Sequence, residues 1–187
     1  MLITKTHHDI QASNGNIRIF VISPVVQGYP EAKFPGVVVF SEIYQVTGPL
    51  ERFAGQIASQ GYVVGGSTSF SPSLIYKIIP VQPAHPHIMN LLVQNHLHTI
   101  PKIEKEVAAY DEDAKLSIDL LVSLPNCTGR VAATGMCLGG HLAFRAAFDP
   151  RILASVCFFG TDIHSKTLGK GKNDDSLVRV ERGDLSG

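Results

Sequence analysis

The sequence predicts an α/β fold in one domain, a mostly parallel sheet with helices on both faces. Short β-branched or aromatic runs alternate with longer segments whose apolar residues recur at three- and four-residue steps. The chain has 187 residues, 44% of them hydrophobic, which is enough to bury one core of ordinary size. Such folds bind ligands outside the carboxyl ends of their strands, so we expect functional residues in the loops that leave the strands.

The first half of the chain carries the first predicted strands and one predicted helix. The strands cover 17–22, 37–40 and 62–64, because these runs are rich in β-branched and aromatic residues and have glycine, proline or asparagine nearby. The helix covers 49–60. Pro49 suits a first helical turn and Gly61 ends the helix, whose apolar stripe is formed by Leu50, Phe53, Ile57 and Ala58.

The second half continues the alternation. A long amphipathic helix ends near Pro125, and its apolar positions are Ile103, Val107, Tyr110, Ala114, Ile118 and Leu121. A strand at 130–134, a helix at 140–148 and a core strand at 154–159 follow. Cys157 lies in that last strand and Cys127 lies in a polar turn, and we expect both to be structural.

The sequence Gly135-Met136-Cys137-Leu138-Gly139-Gly140 joins the strand at 130–134 to the helix at 140–148. Gly-x-Cys-x-Gly between a strand and a helix is typical of a nucleophile elbow, where glycines on either side make a strained turn sterically feasible. The new helix directs unpaired N–H groups and its positive end at the thiol, which favours the thiolate. The alternative is that Cys137 is a buried small hydrophobe and the glycines only turn the chain.

A second group of residues is expected at the same edge of the sheet. The loop Ser41-Glu42-Ile43-Tyr44-Gln45 leaves the strand at 37–40, and Glu42 is the carboxylate closest to that strand end. In folds with a nucleophile elbow, an early strand-to-helix loop supplies one oxyanion-binding N–H and the residue after the nucleophile supplies the other. These would be the backbone amides of Ile43 and Leu138. The alternative for Glu42 is a solvated loop acid.

These residues resemble the dienelactone hydrolase family, in particular its fungal members. The resemblance covers 35–64 and 104–176, and its motifs are Ser41-Glu42-Ile43-Tyr44, Ala109-Tyr110-Asp111-Glu112-Asp113, the elbow up to His141, and Phe159-Gly160-Thr161-Asp162. It implies an α/β-hydrolase fold in which Cys137 attacks the carbonyl of an ester or lactone. It also implies that Glu42 manages the thiol proton, that Ile43 and Leu138 hold the oxyanion, and that an Asp and a His complete a triad.

The chain departs from the family's pattern after the strand at 154–159. In this fold the acid and the histidine follow the nucleophile, each on a loop after a further strand. The segment 161–187 is polar and has no apolar run long enough for such a strand. We therefore expect a fold that is incomplete at its C terminus, and we assign neither a triad acid, from Asp162, Asp174, Asp175 and Asp184, nor a triad base, from His141 and His164.

The interval 65–100 also departs from the pattern, because the alternation of strands and helices fails there. His85, His87, His96 and His98 lie among prolines, but no carboxylate or cysteine accompanies them, so we expect no metal site and no cofactor. Codons for 89–96, read one nucleotide earlier, can encode H-E-F-T-G-P-E-P, which resembles the family's sequence after its third strand. We hypothesise an unspliced intron followed by a frame-shifted exon, and we expect an irregular insert.

Composition limits the partners. Sixteen basic and sixteen acidic side chains give a net charge of zero, so no overall field attracts nucleic acid or an anionic membrane. No apolar run approaches about eighteen residues and the start has no signal-peptide layout, so we expect a cytoplasmic protein with a small-molecule substrate. The three cysteines lack the number and spacing of a disulfide framework or zinc knuckle. Arg52 and Arg145 are expected on solvated helix faces.

Three hypotheses for function remain open. The first is a cysteine hydrolase of the dienelactone hydrolase type, acting on dienelactone-like esters or lactones and impaired where the triad Asp and His are missing. The second is a glyoxalase-type enzyme that resembles DJ-1 and uses only a cysteine and a glutamate. The third is a non-catalytic product of a faulty gene model, whose exposed sheet edge would favour aggregation.

Overall fold

The computed structural model describes residues 1–43, 46–67 and 105–185. These residues form six strands and four helices. The strands are β1 (Leu2–Ala12), β2 (Gly15–Val25), β3 (Phe34–Phe40), β4 (Val63–Ser67), β5 (Cys127–Met136) and β6 (Ile152–Phe158). The helices are α1 (Gly48–Ser59), α2 (Val107–Ser123), α3 (Leu138–Ala146) and α4 (Ser176–Glu181). None of the helices in these ranges has the length and apolar character needed to cross a membrane.

The strands form one mixed sheet in the order β1-β2-β4-β3-β5-β6. The pairs β4–β3, β3–β5 and β5–β6 are parallel, whereas β1 and β2 form an antiparallel hairpin that joins the sheet beside β4. The prediction of a mostly parallel sheet is confirmed. The sequence pattern did not reveal β1, because most of its side chains are exposed and apolar and polar residues do not alternate along it.

Helices cover both faces of the sheet, as predicted, and β3 shows how one strand serves two cores. Val37 and Val39 pack with α1 on one face, and Val38 and Phe40 pack with α2 and α3 on the other. Side chains alternate between faces along a strand, so a strand buried on both faces is apolar throughout. The result is a central β3 whose carboxyl end is held firmly from both sides.

The predicted helix and strand boundaries agree with the structure to within a few residues, with two informative differences. Helix α3 begins at Leu138, immediately after Cys137, and not at 140. Strand β4 continues to Ser67, so it includes the first residues of the interval that we predicted as an irregular insert. The rest of that interval, with its four histidines and the frame-shift hypothesis, lies outside the described residues.

The predicted core strand at 154–159 exists as β6, but its place in a core is wrong. It is the edge strand of the described sheet and pairs only with β5. Leu153 and Val156 are 53% and 54% exposed, and Cys157 is exposed as well. An apolar run indicates a strand with two apolar faces, but it does not say what covers them. The structural role that we expected for Cys157 therefore has no support from burial.

Candidate active site

The backbone turns sharply at Cys137, between the end of β5 and the start of α3. Its φ is 57° and its ψ is −119°, a conformation that costs a non-glycine residue energy. Hydrogen bonds fix both of its peptide groups: its N–H donates to the carbonyl of Phe158 at 3.1 Å, and its carbonyl accepts from Thr161 at 3.2 Å. The same carbonyl accepts from Gly140 and His141 at 3.1 and 3.3 Å. The backbone at Cys137 is therefore strained and is held in place by the hydrogen bonds of its peptide groups.

Glycines make this turn sterically feasible. A Cβ atom on Gly135 would lie 2.2 Å from the carbonyl oxygen of Gly139, and one on Gly139 would lie 2.2 Å from that of Phe40. A Cβ atom on Gly140 would lie 2.6 Å from the carbonyl oxygen of Phe158. Each glycine allows a close approach of two backbones, so these positions have a structural reason to be glycine.

We expect Gly139→Ala to lower the free energy of unfolding by more than about 3 kcal/mol, because backbone on both β3 and α3 would have to move. The matched control is Gly55→Ala in α1. The nearest atom to a Cβ there lies 3.7 Å away, so this change should stabilise the helix by roughly 0.5–1 kcal/mol. Urea unfolding of both variants tests the prediction, and a similar small effect at the two positions would contradict it.

The end of β3 lies directly beside the elbow. Phe40 pairs with Gly135 in parallel register, and a Cβ atom on Gly139 would lie 2.7 Å from the carbonyl oxygen of Ser41. Ser41 is fully buried and its hydroxyl has no hydrogen-bond partner in the described residues. Glu42 and Ile43 come next and are partly exposed, whereas Tyr44 and Gln45 of the same loop lie outside the described residues. The structure therefore places the 41–43 segment at the same sheet edge as the elbow.

Cys137 as a residue is partly exposed, Cys127 is buried and Cys157 is exposed. Within the described part of the chain, the Cys137 thiol and the Glu42 carboxylate make no hydrogen bond or ion pair, either with each other or with another group. Cys137 and Glu42 thus lie at the same edge of the sheet without a hydrogen bond between their side chains. The residues described contain no group of three or more His, Cys, Asp and Glu side chains placed to hold a metal ion.

The residues that we rejected as triad members fall into two groups. His164, Asp175 and Asp184 are exposed, and Asp162 is partly exposed. In contrast, His141 and Asp174 are fully buried against each other, with Nε2 of His141 at 3.3 Å from Oδ2 of Asp174 and at 3.1 Å from the hydroxyl of Ser176. These contacts belong to a buried polar cluster, which we define as His141, Arg145, Asp174 and Ser176.

Arg145 is the centre of the buried polar cluster, so our expectation of a solvated helix face is wrong for it. Only 2% of its side chain is exposed. It donates from Nε and Nη2 to both oxygens of Asp111, at 2.8 and 2.7 Å, and from Nη1 to Asp174, Asp175 and Ser176 at 2.7–2.9 Å. The burial of Arg145 was not predictable, because three of its four partners, Asp174, Asp175 and Ser176, come from a segment without helical or strand periodicity. Arg52 is exposed, as predicted.

The buried polar cluster should make the free energy of unfolding fall at acid pH. Burial raises the pKa of Asp174, but its contacts with His141 and Ser176 lower it more, to about 2 from an ordinary 3.8. An acid with a lowered folded-state pKa stabilises the fold above its unfolded-state pKa, and this stabilisation is lost as the pH falls from about 4 through 2. The loss should be about 2 kcal/mol, and Asp174→Asn should abolish it. Urea unfolding at pH 4 and pH 2 tests this, and identical pH dependence in the two proteins would contradict it.

Comparison with known proteins adds the following. Residues 22–177 match the model of the dienelactone hydrolase family. The chain is 50% identical over 184 residues to a Saccharomyces cerevisiae protein named "Putative carboxymethylenebutenolidase", an alignment that covers 97% of this chain and 64% of that relative. The chain thus spans less than two thirds of that relative's length.

Two solved structures are similar in fold. One is a dienelactone hydrolase-like promiscuous phosphotriesterase from metagenomic libraries, with a TM-score of 0.60, 20% identity and coverage of 84% of this chain and 59% of that one. The other is a "Putative Dienelactone Hydrolase" from Klebsiella pneumoniae, with a TM-score of 0.59, 18% identity and coverage of 86% and 61%. At these identities the likeness concerns the fold alone.

Proposed function

Because the chain belongs to the dienelactone hydrolase family and has its α/β-hydrolase fold, we propose that it is an ester or lactone hydrolase with Cys137 as its nucleophile. The observation that carries the proposal is the strained backbone of Cys137 at the carboxyl end of β5, with its peptide groups fixed by hydrogen bonds and the residue partly exposed. A structural cysteine needs neither the strain nor the exposure. Strain at a residue that reaches solvent is characteristic of functional sites.

In the proposed reaction the Cys137 thiolate attacks the substrate carbonyl and forms a tetrahedral intermediate. Leu138 is the first residue of α3, so its N–H has no intrahelical partner and is available to the oxyanion, together with the N–H of Ile43 from the neighbouring loop. Glu42 takes the thiol proton and delivers it to the leaving oxygen as the carbon–oxygen bond breaks. The product of this first half is a thioester on Cys137.

The second half of the reaction needs water to hydrolyse the thioester. We assign no histidine or acid of the described residues to activate that water, so we propose that this chain acylates quickly and deacylates slowly. An oxyanion hole and substrate binding alone preserve residual catalysis in such enzymes. For the substrate we propose a lactone of the carboxymethylenebutenolide type, after the name of the yeast relative. Family membership favours this hydrolase over the glyoxalase-type alternative.

Rapid mixing with p-nitrophenyl acetate tests the proposal. The expected result is a burst of one p-nitrophenolate per protein, followed by a much slower steady state, with acetyl found by peptide mass spectrometry on Cys137. Cys157 is an internal reference because it is an exposed thiol on an edge strand without a helix after it. Acetylation of Cys157 in preference to Cys137 would refute the proposal, and turnover of methylglyoxal without a burst would favour the glyoxalase-type reaction.

A further inference from the structure

The segment 159–176 follows β6, and we call it the strap. Its start is bonded to Cys137 in the elbow, and its far end is bonded to helix α3. At its start, the N–H of Thr161 donates to the carbonyl of Cys137 at 3.2 Å. The residue just before the strap, Phe158, accepts the N–H of Cys137 at 3.1 Å. A Cβ atom on Gly140 would lie 3.0 Å from Cα of Gly160, so the strap backbone packs directly on the first turn of α3.

At its far end the strap enters the buried polar cluster, and the hydrogen bonds there have a defined direction. The hydroxyl of Ser176 donates to Oδ1 of Asp174 at 2.6 Å, so its oxygen is left to accept from Nη1 of Arg145 at 2.9 Å and from His141 at 3.1 Å. With these roles, Nε2 of His141 is the donor, which corresponds to one of the two neutral tautomers of histidine. His141 and Arg145 are four residues apart on α3, so two successive turns of the elbow helix are bound to one point of the strap.

The strap does not hold this shape by local preference. Of the five non-glycine residues with positive φ in the described ranges, four lie in the strap: Phe159, Asp162, Lys166 and Lys172. Each costs energy that its surroundings must supply. Between its ends the strap is attached to the start of α2, where the N–H of Lys170 donates to the carbonyl of Lys105 at 2.9 Å. Its conformation is therefore set by its attachments.

We propose that the strap positions the elbow: Asp174 and Ser176, acting through His141 and Arg145, hold the first two turns of α3 and with them the N–H of Leu138 relative to the Cys137 thiol. The cluster residues do not touch the substrate, so they are positioning residues. The geometric part of the inference is independent of the reaction, whereas its effect on rate depends on the proposed function.

Asp174→Asn tests the geometric part, with Asp175→Asn as its matched control. Both carboxylates accept from Nη1 of Arg145, at 2.7 and 2.8 Å, but the side chain of Asp174 is fully buried and that of Asp175 is 52% exposed. We expect amide hydrogen exchange at Gly140 and His141 to be at least tenfold faster in Asp174→Asn than in Asp175→Asn, with exchange in α1 unchanged. Equal acceleration in α1, or none at Gly140 and His141, would overturn the proposal.

The rate of acylation tests the effect on the site. For Asp174→Asn we expect the burst rate with p-nitrophenyl acetate to fall about tenfold without a change in KM, and the rate of alkylation by iodoacetamide, which forms no oxyanion, to stay within twofold. A variant that was only less stable would lose both rates together. If the wild-type protein gives no burst while the exchange pattern is as expected, the proposed function fails and the positioning role stands. Should Asp174→Asn not fold, Ser176→Ala is measured in the same way.

Discussion

Cys137→Ala should abolish the burst with p-nitrophenyl acetate and the acetylated peptide, reducing the rate of acylation by at least about 10³-fold. In the proposed reaction, acylation needs the thiol of Cys137 as nucleophile and the amides of Leu138 and Ile43, which we propose hold the oxyanion. No neighbouring group can replace the thiol, because the hydroxyl of Ser41 is fully buried and that of Thr161 is also buried, with no hydrogen-bond partner in the described residues to serve as a base.

Two further variants separate this effect from general thiol chemistry. Cys157→Ala removes the exposed cysteine and Cys127→Ala the buried one, whose sulfur accepts from the N–H of Gly129 at 3.4 Å. Neither should change the burst amplitude or its rate by more than twofold. Loss of the burst in Cys157→Ala would move the reaction to the edge strand and leave the elbow as a structural turn.

Most of the fold was predictable because its signals are local. The apolar runs that became β2, β3, β4 and β5 are each bounded by glycine, proline or polar residues, and the stripe of α1 has a clear period. The sequence could not show which elements pack against each strand. The apolar residues of β6 predicted a buried strand, yet the described residues leave it as an edge, because burial is a property of the neighbours and not of the strand itself.

The candidate site divides in the same way. The tight turn at Cys137 was predictable because the close approach of two backbones requires glycine at Gly135 and Gly139, and glycines are visible in the sequence. The hydrogen bonds of Phe158 and Thr161 to Cys137 left no such sign, because backbone groups are the same in every residue. Arg145 was misjudged for a related reason: an arginine on a helix is usually solvated, and only the tertiary structure brings buried Asp174 to it.

Arg145→Met should lower the free energy of unfolding by about 3–5 kcal/mol. Burial lowers the pKa of Arg145, but the hydrogen bonds and charges of Asp111 and Asp175 raise it by more than burial lowers it. The guanidinium is therefore charged at every accessible pH. Methionine fills most of its volume but leaves the buried carboxylate of Asp174 without the guanidinium that donates to it. Urea unfolding at pH 7 measures the loss.

A second arginine of the same chain is the control. Arg151 also binds two carboxylates, Asp119 and Asp149, but 35% of its side chain is exposed and the carboxylates are partly exposed as well. Arg151→Met should therefore cost no more than about 1 kcal/mol. Equal losses at the two arginines would mean that burial is not what makes the cluster important.

The double variant Arg145→Met with Asp174→Asn identifies the source of the loss. If an unpaired buried charge causes it, neutralising Asp174 should recover stability, so the double variant should be more stable than Arg145→Met alone. In the double variant, amide exchange at Gly140 and His141 should become slower again only in part. The asparagine side chain can still bond to Ser176, but the hydrogen bonds of Arg145 remain absent. If the double variant instead loses as much unfolding free energy as the two single variants together, the loss comes from packing. The buried polar cluster would then support the elbow through packing and not through charge.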